Sequence, residues 1–326
     1  MKVLNRFKQG GGLRLVKAYF KMGLLAELMK AGLNILFKRR RYQNEYARFI
    51  NKVKPLLIEE FDSVLTDLEK LTKKPETVKE PTTEKKEYVW FCWLQGIDKA
   101  PDIVKACLDS QTRWLNNKEF VIITAENYKE YISLPVFITE KYAKGVIPHA
   151  LFTDLIRTEL LTRHGGSWID ATVMITGKNY PKEIFDCNLF MPQYIGEDGT
   201  MRGISNWLIT ARKENYLLIL LRGMLLEYWK RYDCVVDYYI FHLFFGMIAQ
   251  RHHDEIKAMP ILNSYHCIEL LKHLGERGQQ ENLKGFLSKA SIHKLSYRLG
   301  KEILEDKENV LHELQRMTNH QHGKSS

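Results

Sequence analysis

The stretch that decides the fold is Phe152-Thr153-Asp154-Leu155-Ile156-Arg157, then seven residues, then Gly165-Gly166-Ser167-Trp168-Ile169-Asp170-Ala171-Thr172. Pro148 suits a first helical turn, where its missing N–H has no partner in any case. Leu151, Leu155, Ile156, Leu160 and Leu161 then recur at helical spacing. Asp154 and Arg157 stand three apart and share a face. Gly165 fits the left-handed residue that closes a helix, and Gly166 permits a tight turn. Trp168-Ile169 opens an extended run that continues past Ala171-Thr172 into Val173-Met174-Ile175. Asp170 falls inside that run, where a carboxylate is costly unless a metal or a donor pairs with it.

Each piece alone has a plainer reading. Asp154 with Arg157 fits a surface pair on a helix. A lone Asp near a strand end fits a turn or a cap, and Gly-Gly marks a turn. Together they set an acid, a base and a second acid around one crevice. Such a crevice suits a nucleoside diphosphate sugar, whose pyrophosphate must be neutralised and whose sugar must be held.

These residues resemble the bacterial capsular polysaccharide synthesis proteins, which are similar to glycosyltransferase family 32. More distantly they are similar to the glucosyltransferase domains of large clostridial toxins. The shared motif is Ser/Thr-Asp-x-x-Arg, then Gly-Gly-x-aromatic-x-Asp-x-Asp. Trp90-Phe91-Cys92-Trp93-Leu94-Gln95-Gly96, Ala100-Pro101-Asp102-Ile103-Val104 and Asp237-Tyr238-Tyr239-Ile240-Phe241-His242 extend the likeness over 88–243.

The resemblance implies an α/β, GT-A-like domain with a Rossmann-type nucleotide-sugar-binding sheet. It implies a retaining hexosyltransferase-type enzyme that uses a nucleoside diphosphate sugar, a UDP-sugar by analogy. Asp154 and Arg157 would grip the donor sugar, with Thr153 and Trp168 beside them in the motif. Asp170 would sit beside a divalent metal, Mn²⁺ or Mg²⁺, and the ribose. Trp93 would stack on the base, and Asn206 matches an asparagine that follows the metal motif. The chain departs from the pattern at Thr172, where relatives carry a second Asp. The hard oxygen shell of the metal thus loses one anionic ligand, and a threonine hydroxyl or water takes its place.

Hydrophobic residues make up 45% of the 326 residues and aromatic residues 11%, which describes a globular chain. Cys92, Cys107, Cys187, Cys234 and Cys267 are odd in number, scattered and lack a Cys-x-x-Cys pair. That pattern argues against a disulfide framework or a zinc site, and for a reducing compartment. Residues 1–54 hold 14 Lys+Arg against 2 Asp+Glu, a balance of +12 within a total of +10, so the remainder carries −2. A nucleic-acid reader would carry its basic stripe on the folded domain, so no nucleic-acid partner is expected.

The basic arm is amphipathic. Leu13, Val16, Phe20, Leu24, Leu28, Ala31 and Ile35 recur at three and four, and Lys38-Arg39-Arg40-Arg41 closes the segment. Lys21, Glu27 and Lys30 interrupt any spanning run, and no signal-peptide pattern is apparent. The arm reads either as an interfacial helix on the anionic inner leaflet, placing the protein peripherally on the cytoplasmic face, or as a helix packed on the protein's own core.

The remaining pattern divides the chain into basic helices (1–71), a polar linker (72–87), the GT-A-like domain (88–265), and C-terminal helices with a polar tail (266–326). A second helix is expected over 42–71. Strands are expected at 88–93, 120–123 and 136–138, with a helix at 103–114. This alternation predicts a mostly parallel sheet, with its ligand crevice at the carboxyl ends of the strands, where Trp93 and Asp170 fall. Further expectations are a strand at 190–192, a turn at 196–199, a helix over 215–231 and helices through 268–314. Asp237 reads either as an N-cap or as an acceptor-side carboxylate, and His242 either as a core residue or as a phosphate contact.

The leading expectation is a glycosyltransferase acting on a glycan or lipid-linked glycan in capsular or extracellular polysaccharide synthesis. The alternative is a non-catalytic nucleotide-sugar or glycan binder of the same fold.

Overall fold

The computed structural model describes residues 11–37, 42–72, 87–277 and 280–320. Along the chain the helices are α1 (Leu13–Lys21), α2 (Leu25–Phe37), α3 (Tyr42–Leu71), α4 (Asp102–Trp114), α5 (Tyr128–Tyr131), α6 (Val136–Ala143) and α7 (His149–His164). They continue as α8 (Tyr216–Arg231), α9 (Ile240–Arg251), α10 (His253–Lys257), α11 (Ser264–His273), α12 (Gln280–Lys289), α13 (Lys301–Glu305) and α14 (Val310–His320). The strands are β1 (Tyr88–Cys92), β2 (Glu119–Ile123), β3 (Gly166–Ile169), β4 (Val173–Ile175) and β5 (Leu189–Phe190). Four more follow: β6 (Gln193–Ile195), β7 (Met201–Ile204), β8 (Leu208–Ala211) and β9 (Ile292–Lys294).

The described residues fall into two compact units. One holds those before 78 together with Ile132–Glu159 and Tyr216–Ile256, and is helical. The other holds the described residues of 78–131, 160–215 and 257–326, and contains every strand.

In the sheet unit the apolar run of β1 is buried from Val89 to Cys92, as a central strand covered on both faces must be. It pairs in parallel with β2 along its whole length and with β3 at Val89↔Ser167 and Trp90↔Trp168. The order is β2-β1-β3-β8-β5, and β8 and β5 join antiparallel. The sheet is therefore mixed rather than mostly parallel. The connections from β3 to β8 contain no α-helix that could serve as a crossover, and antiparallel return needs none.

The extended run predicted from Trp168 to Ile175 is broken. Ala171-Thr172 form a turn closed by the Val173 N–H on the Asp170 carbonyl at 3.0 Å. β4 then leaves the main sheet and pairs antiparallel with β9, Val173 opposite Lys294. β9 lies in the segment expected to be helical, so that expectation fails over 292–294. The core of this unit gathers Val89, Ile169, Phe190, Trp207 and Leu208 in one cluster, and Phe91, Val104, Met174, Leu270 and Leu311 in another.

In the helical unit Val53, Leu57, Phe61 and Leu65 of α3 recur at four and are fully buried. Phe61 meets Phe244 of α9 at 4.7 Å between ring centroids. The segment 136–138, expected as a strand, is the start of α6. Pro135 precedes it at φ −54°, a backbone already set for a helix start. The basic arm breaks at Gly23 (φ 72°) into α1 and α2. Its buried residues are Ala18, Tyr19 and Leu24, whereas Leu13, Phe20, Met29 and Leu33 are exposed. The Tyr19 hydroxyl donates to the Val236 carbonyl at 2.9 Å. The arm thus seats on its unit through a stripe rotated away from Leu13 and Phe20. Lys38-Arg39-Arg40-Arg41, most of the predicted linker and the end of the polar tail lie outside the described residues.

Candidate functional site

Two glycines aim the strand-end carboxylate. Gly165 (φ 70°) and Gly166 (φ 92°) both adopt left-handed backbone. A Cβ on Gly165 would stand 2.6 Å from the Lys213 nitrogen, and one on Gly166 2.5 Å from the Tyr88 oxygen. The indole N–H of Trp90 donates to the Gly165 carbonyl at 2.8 Å. β3 can therefore start flush beside β1, and four residues later it delivers Asp170.

The backbone of Asp170 is fixed on both sides. Its N–H donates to the Trp207 carbonyl at 2.8 Å. Its carbonyl accepts from Gln111 Nε2 at 3.3 Å, and the same amide donates to the Val173 carbonyl at 2.7 Å. Gln111 is fully buried on α4 and braces the turn from behind. The carboxylate is met by an indole donor and by an ion-paired ammonium. Trp168 Nε1–H reaches Oδ1 at 2.9 Å, and Lys294 Nζ stands 3.4 Å from Oδ2. Lys294 also donates to Thr172 Oγ1 at 2.5 Å. The cost of placing a carboxylate at the end of an apolar strand is thus met by an indole and an ammonium.

This arrangement bears on the expected metal. Asp170 and Thr172 are the two oxygen groups that the sequence offered, and Lys294 already bridges them. Among the described residues no group of three or more His, Cys, Asp or Glu gathers to hold an ion. One carboxylate and one hydroxyl joined by an ammonium do not fit a resident divalent cation, which wants several oxygen ligands.

Trp93 follows β1 directly, and its N–H donates to the Ile123 carbonyl at 3.0 Å. Its ring meets Tyr297 edge-on at 5.2 Å, and its Nε1 is buried without a hydrogen-bond partner among the described residues. Trp93 packs on the cluster that includes Ala171. Asn206 is half-buried and immediately precedes Trp207, whose carbonyl holds Asp170. The sheet unit thus joins Trp168, Asp170 and Thr172 in one constellation and places Trp93 at the end of the neighbouring strand.

The helical unit carries the other predicted residues. On α7, Asp154 (8% exposed) and Arg157 (6% exposed) form a pair, Oδ1 to Nη2 at 3.3 Å. They are buried, which rules out the surface-pair reading. The Arg157 guanidinium lies 6.0 Å from the centre of the Phe241 ring. Thr153 donates to the carbonyl one turn back, His149, at 2.7 Å. Asp237 is fully buried; its Oδ1 accepts the Tyr239 N–H at 3.0 Å, and Oδ2 has no partner among the described residues. It closes a turn ahead of α9 rather than capping the helix, whose N-cap is Tyr239. Burial raises the Asp237 carboxyl above its usual range, against a lowering from the Tyr239 N–H and Lys54. Burial lowers His242 to about 4, with the charges of Arg157 and Lys54 adding to it. His242 is therefore a neutral imidazole at pH 7, and its Nδ1 is buried without a partner among the described residues.

Sequence reasoning missed Gln111, Lys294 and Tyr297. The only signal for the latter two is the alternation in Ile292-His293-Lys294-Leu295-Ser296-Tyr297, a strand pattern inside a helical stretch.

A family model described as capsular polysaccharide synthesis protein matches residues 33–314. No curated protein matches the chain. Among solved structures it is similar to the PaToxG glycosyltransferase, at 14% identity and a TM-score of 0.36, covering 61% of this chain and 79% of that one. It is also similar to the apo form of the glycosyltransferase GlyE of Streptococcus pneumoniae TIGR4, at 11% identity and a TM-score of 0.38, covering 74% of this chain and 64% of that one. A second GlyE structure gives 11% identity and a TM-score of 0.39 over the same shares.

Proposed function

The chain belongs to the capsular polysaccharide synthesis protein family, and from that premise we propose that it is a glycosyltransferase. It moves a sugar from a nucleoside diphosphate, a UDP-sugar by resemblance, to a glycan or lipid-linked glycan in capsular or extracellular polysaccharide synthesis. One observation carries the reading: Asp170 and Trp93 each follow the carboxyl end of adjacent parallel strands, β3 and β1. That is where open α/β sheets bind nucleotides.

In this reading the Trp93 ring packs against the base. Asp170 accepts hydrogen bonds from ribose hydroxyls, and Asn206 and Trp168 line the same end. Asp154 and Thr153 hold sugar hydroxyls, and the planar fork of Arg157 binds sugar or phosphate oxygens. Asp237 and His242 serve the acceptor side. Fixing the anomeric carbon against an acceptor hydroxyl is then mainly a positioning effect. The transfer is taken as retaining by resemblance.

We further propose that the basic arm rests on the inner leaflet, with a peripheral cytoplasmic location. Exposed Leu13, Phe20, Met29 and Leu33 beside lysines support it. Among the described residues no helix is long and apolar enough to cross a membrane.

The competing reading is a non-catalytic nucleotide-sugar binder, favoured by Thr172 standing where relatives carry an acid. A panel of nucleoside diphosphate sugars, assayed for binding and for release of free nucleoside diphosphate with and without membrane glycolipid, separates the two. Turnover of one donor supports transfer. Binding without turnover under every condition supports the binder, and binding of none sinks both.

A further inference from the structure

We propose that Lys294 replaces the divalent metal at the strand-end site, and that its ammonium is the cation that receives the diphosphate of the donor. The inference rests on the nucleoside diphosphate sugar reading above. It starts from position. The ammonium stands 3.4 Å from Asp170 Oδ2 and 2.5 Å from Thr172 Oγ1, the two oxygen groups that the motif positions offer to a cation.

The main chain sets this position. β9 pairs with β4 so that Lys294 lies opposite Val173, and the Leu295 N–H donates to the Thr172 carbonyl at 2.8 Å. The Lys294 side chain is 23% exposed, whereas Lys144, paired on a helix surface, is 70% exposed. The ammonium's contacts to Asp170 Oδ2 (3.4 Å) and to the Leu295 carbonyl (3.5 Å) are both long, against 2.5 Å to Thr172 Oγ1. A phosphate oxygen can therefore displace one of the two long contacts at little cost. Lysine suits this task because it binds phosphate as a compact point charge. The same segment sets Tyr297 against Trp93, so one stretch after β9 supplies both the cation and an aromatic wall.

In the transfer the bond between the anomeric carbon and the β-phosphate oxygen breaks, and its electron pair stays on the diphosphate. A bond forms from the acceptor oxygen to the anomeric carbon. The acceptor's hydroxyl proton passes to the departing diphosphate or to water. Lys294 stabilises the charge gathering on the leaving group without an added ion.

The test is calorimetric binding of UDP, with donor turnover alongside, for the full-length wild type, Lys294→Met, Lys294→Gln and Lys294→Arg. Each is measured in EDTA and in excess Mn²⁺. The expected result is wild-type binding and turnover that EDTA leaves intact. Lys294→Met and Lys294→Gln should weaken UDP by about tenfold to a hundredfold, the scale of one hydrogen bond to a charged group. Lys294→Arg should fall between, and Mn²⁺ should partly restore Lys294→Met by entering the vacated place. If EDTA abolishes wild-type binding, or if Lys294→Gln binds UDP as tightly as wild type, the inference is overturned while the donor reading stands. If wild type binds no nucleoside diphosphate in either condition, the donor reading itself falls. A Lys294→Met chain that fails to fold leaves Lys294→Gln, equally uncharged and still polar, to decide.

Discussion

Asp170 and Asp237 are both carboxylates set beside apolar segments, yet their surroundings differ in exposure and in the donors they supply. Asp170, at the end of β3, is about a quarter exposed and receives an indole N–H and an ammonium. Asp237, ahead of α9, is fully buried, receives one backbone N–H, and keeps Oδ2 without a partner among the described residues. The first setting places an indole N–H and an ammonium beside the carboxylate. The second raises the pKa and favours the neutral acid. Two cations, one in each unit, show the same contrast. Arg157 is held in a buried pair with Asp154, whereas Lys294 keeps water access. The difference implies that the strand-end group presents its charge from a partly exposed position, whereas the α7–α9 group does so from a buried, more tightly packed one.

The largest expected effect tests that division directly. Arg157→Met removes the guanidinium from a buried ion pair with Asp154, and should cost about 3–5 kcal/mol of stability in urea unfolding. Lys294→Met, at a partly exposed pair, should cost about 1 kcal/mol or less. Equal losses would erase the contrast.

His242 gives the next effect. Its pKa lies at about 4 in the folded chain against 6.5 ordinarily. A depressed pKa contributes stability that is present above the unfolded value and is lost as pH falls through the folded one. Between pH 6.5 and about 4, His242 should therefore remove up to about 1.4 kcal/mol per pH unit. His242→Phe should flatten that part of the stability profile, and an unchanged acid limb would show that His242 is not buried neutral.

Asp237→Asn should have the smallest effect, with the opposite sign in pH. A raised pKa contributes stability that is full below the unfolded value and is lost as pH rises through the folded one. The variant stays neutral throughout. Its melting temperature relative to wild type should therefore climb by about 2 °C or more from pH 4 to pH 8. A pH-independent difference would show that burial does not raise the Asp237 carboxyl.

How much of this was legible before folding depends on how local the cause is. Gly165-Gly166 could be read because left-handed backbone is a property of the residue itself. Tyr42–Leu71 could be read because its apolar repeat is long. The break at Ala171-Thr172 could not, since neither residue signals a turn, and what moves β4 away is its pairing with β9 much later in the chain. Lys294 was invisible for the same reason: a lysine becomes a site residue only when sheet register brings it to Asp170. Val136-Phe137-Ile138 has strand composition, but Pro135 sets a helix start and the packed unit takes that choice. The burial of Asp154, Arg157 and Asp237 also depends on tertiary packing, which spacing does not encode.

Asp170 at the end of β3 serves sugar transfer from a nucleoside diphosphate in the proposed reaction. The most direct measurement is kcat/KM for the turned-over donor with wild type and Asp170→Asn, a variant that keeps size and shape and drops the charge. The expected result is a loss of about a hundredfold or more with the melting temperature little changed. Equal kcat/KM for a folded Asp170→Asn would contradict it.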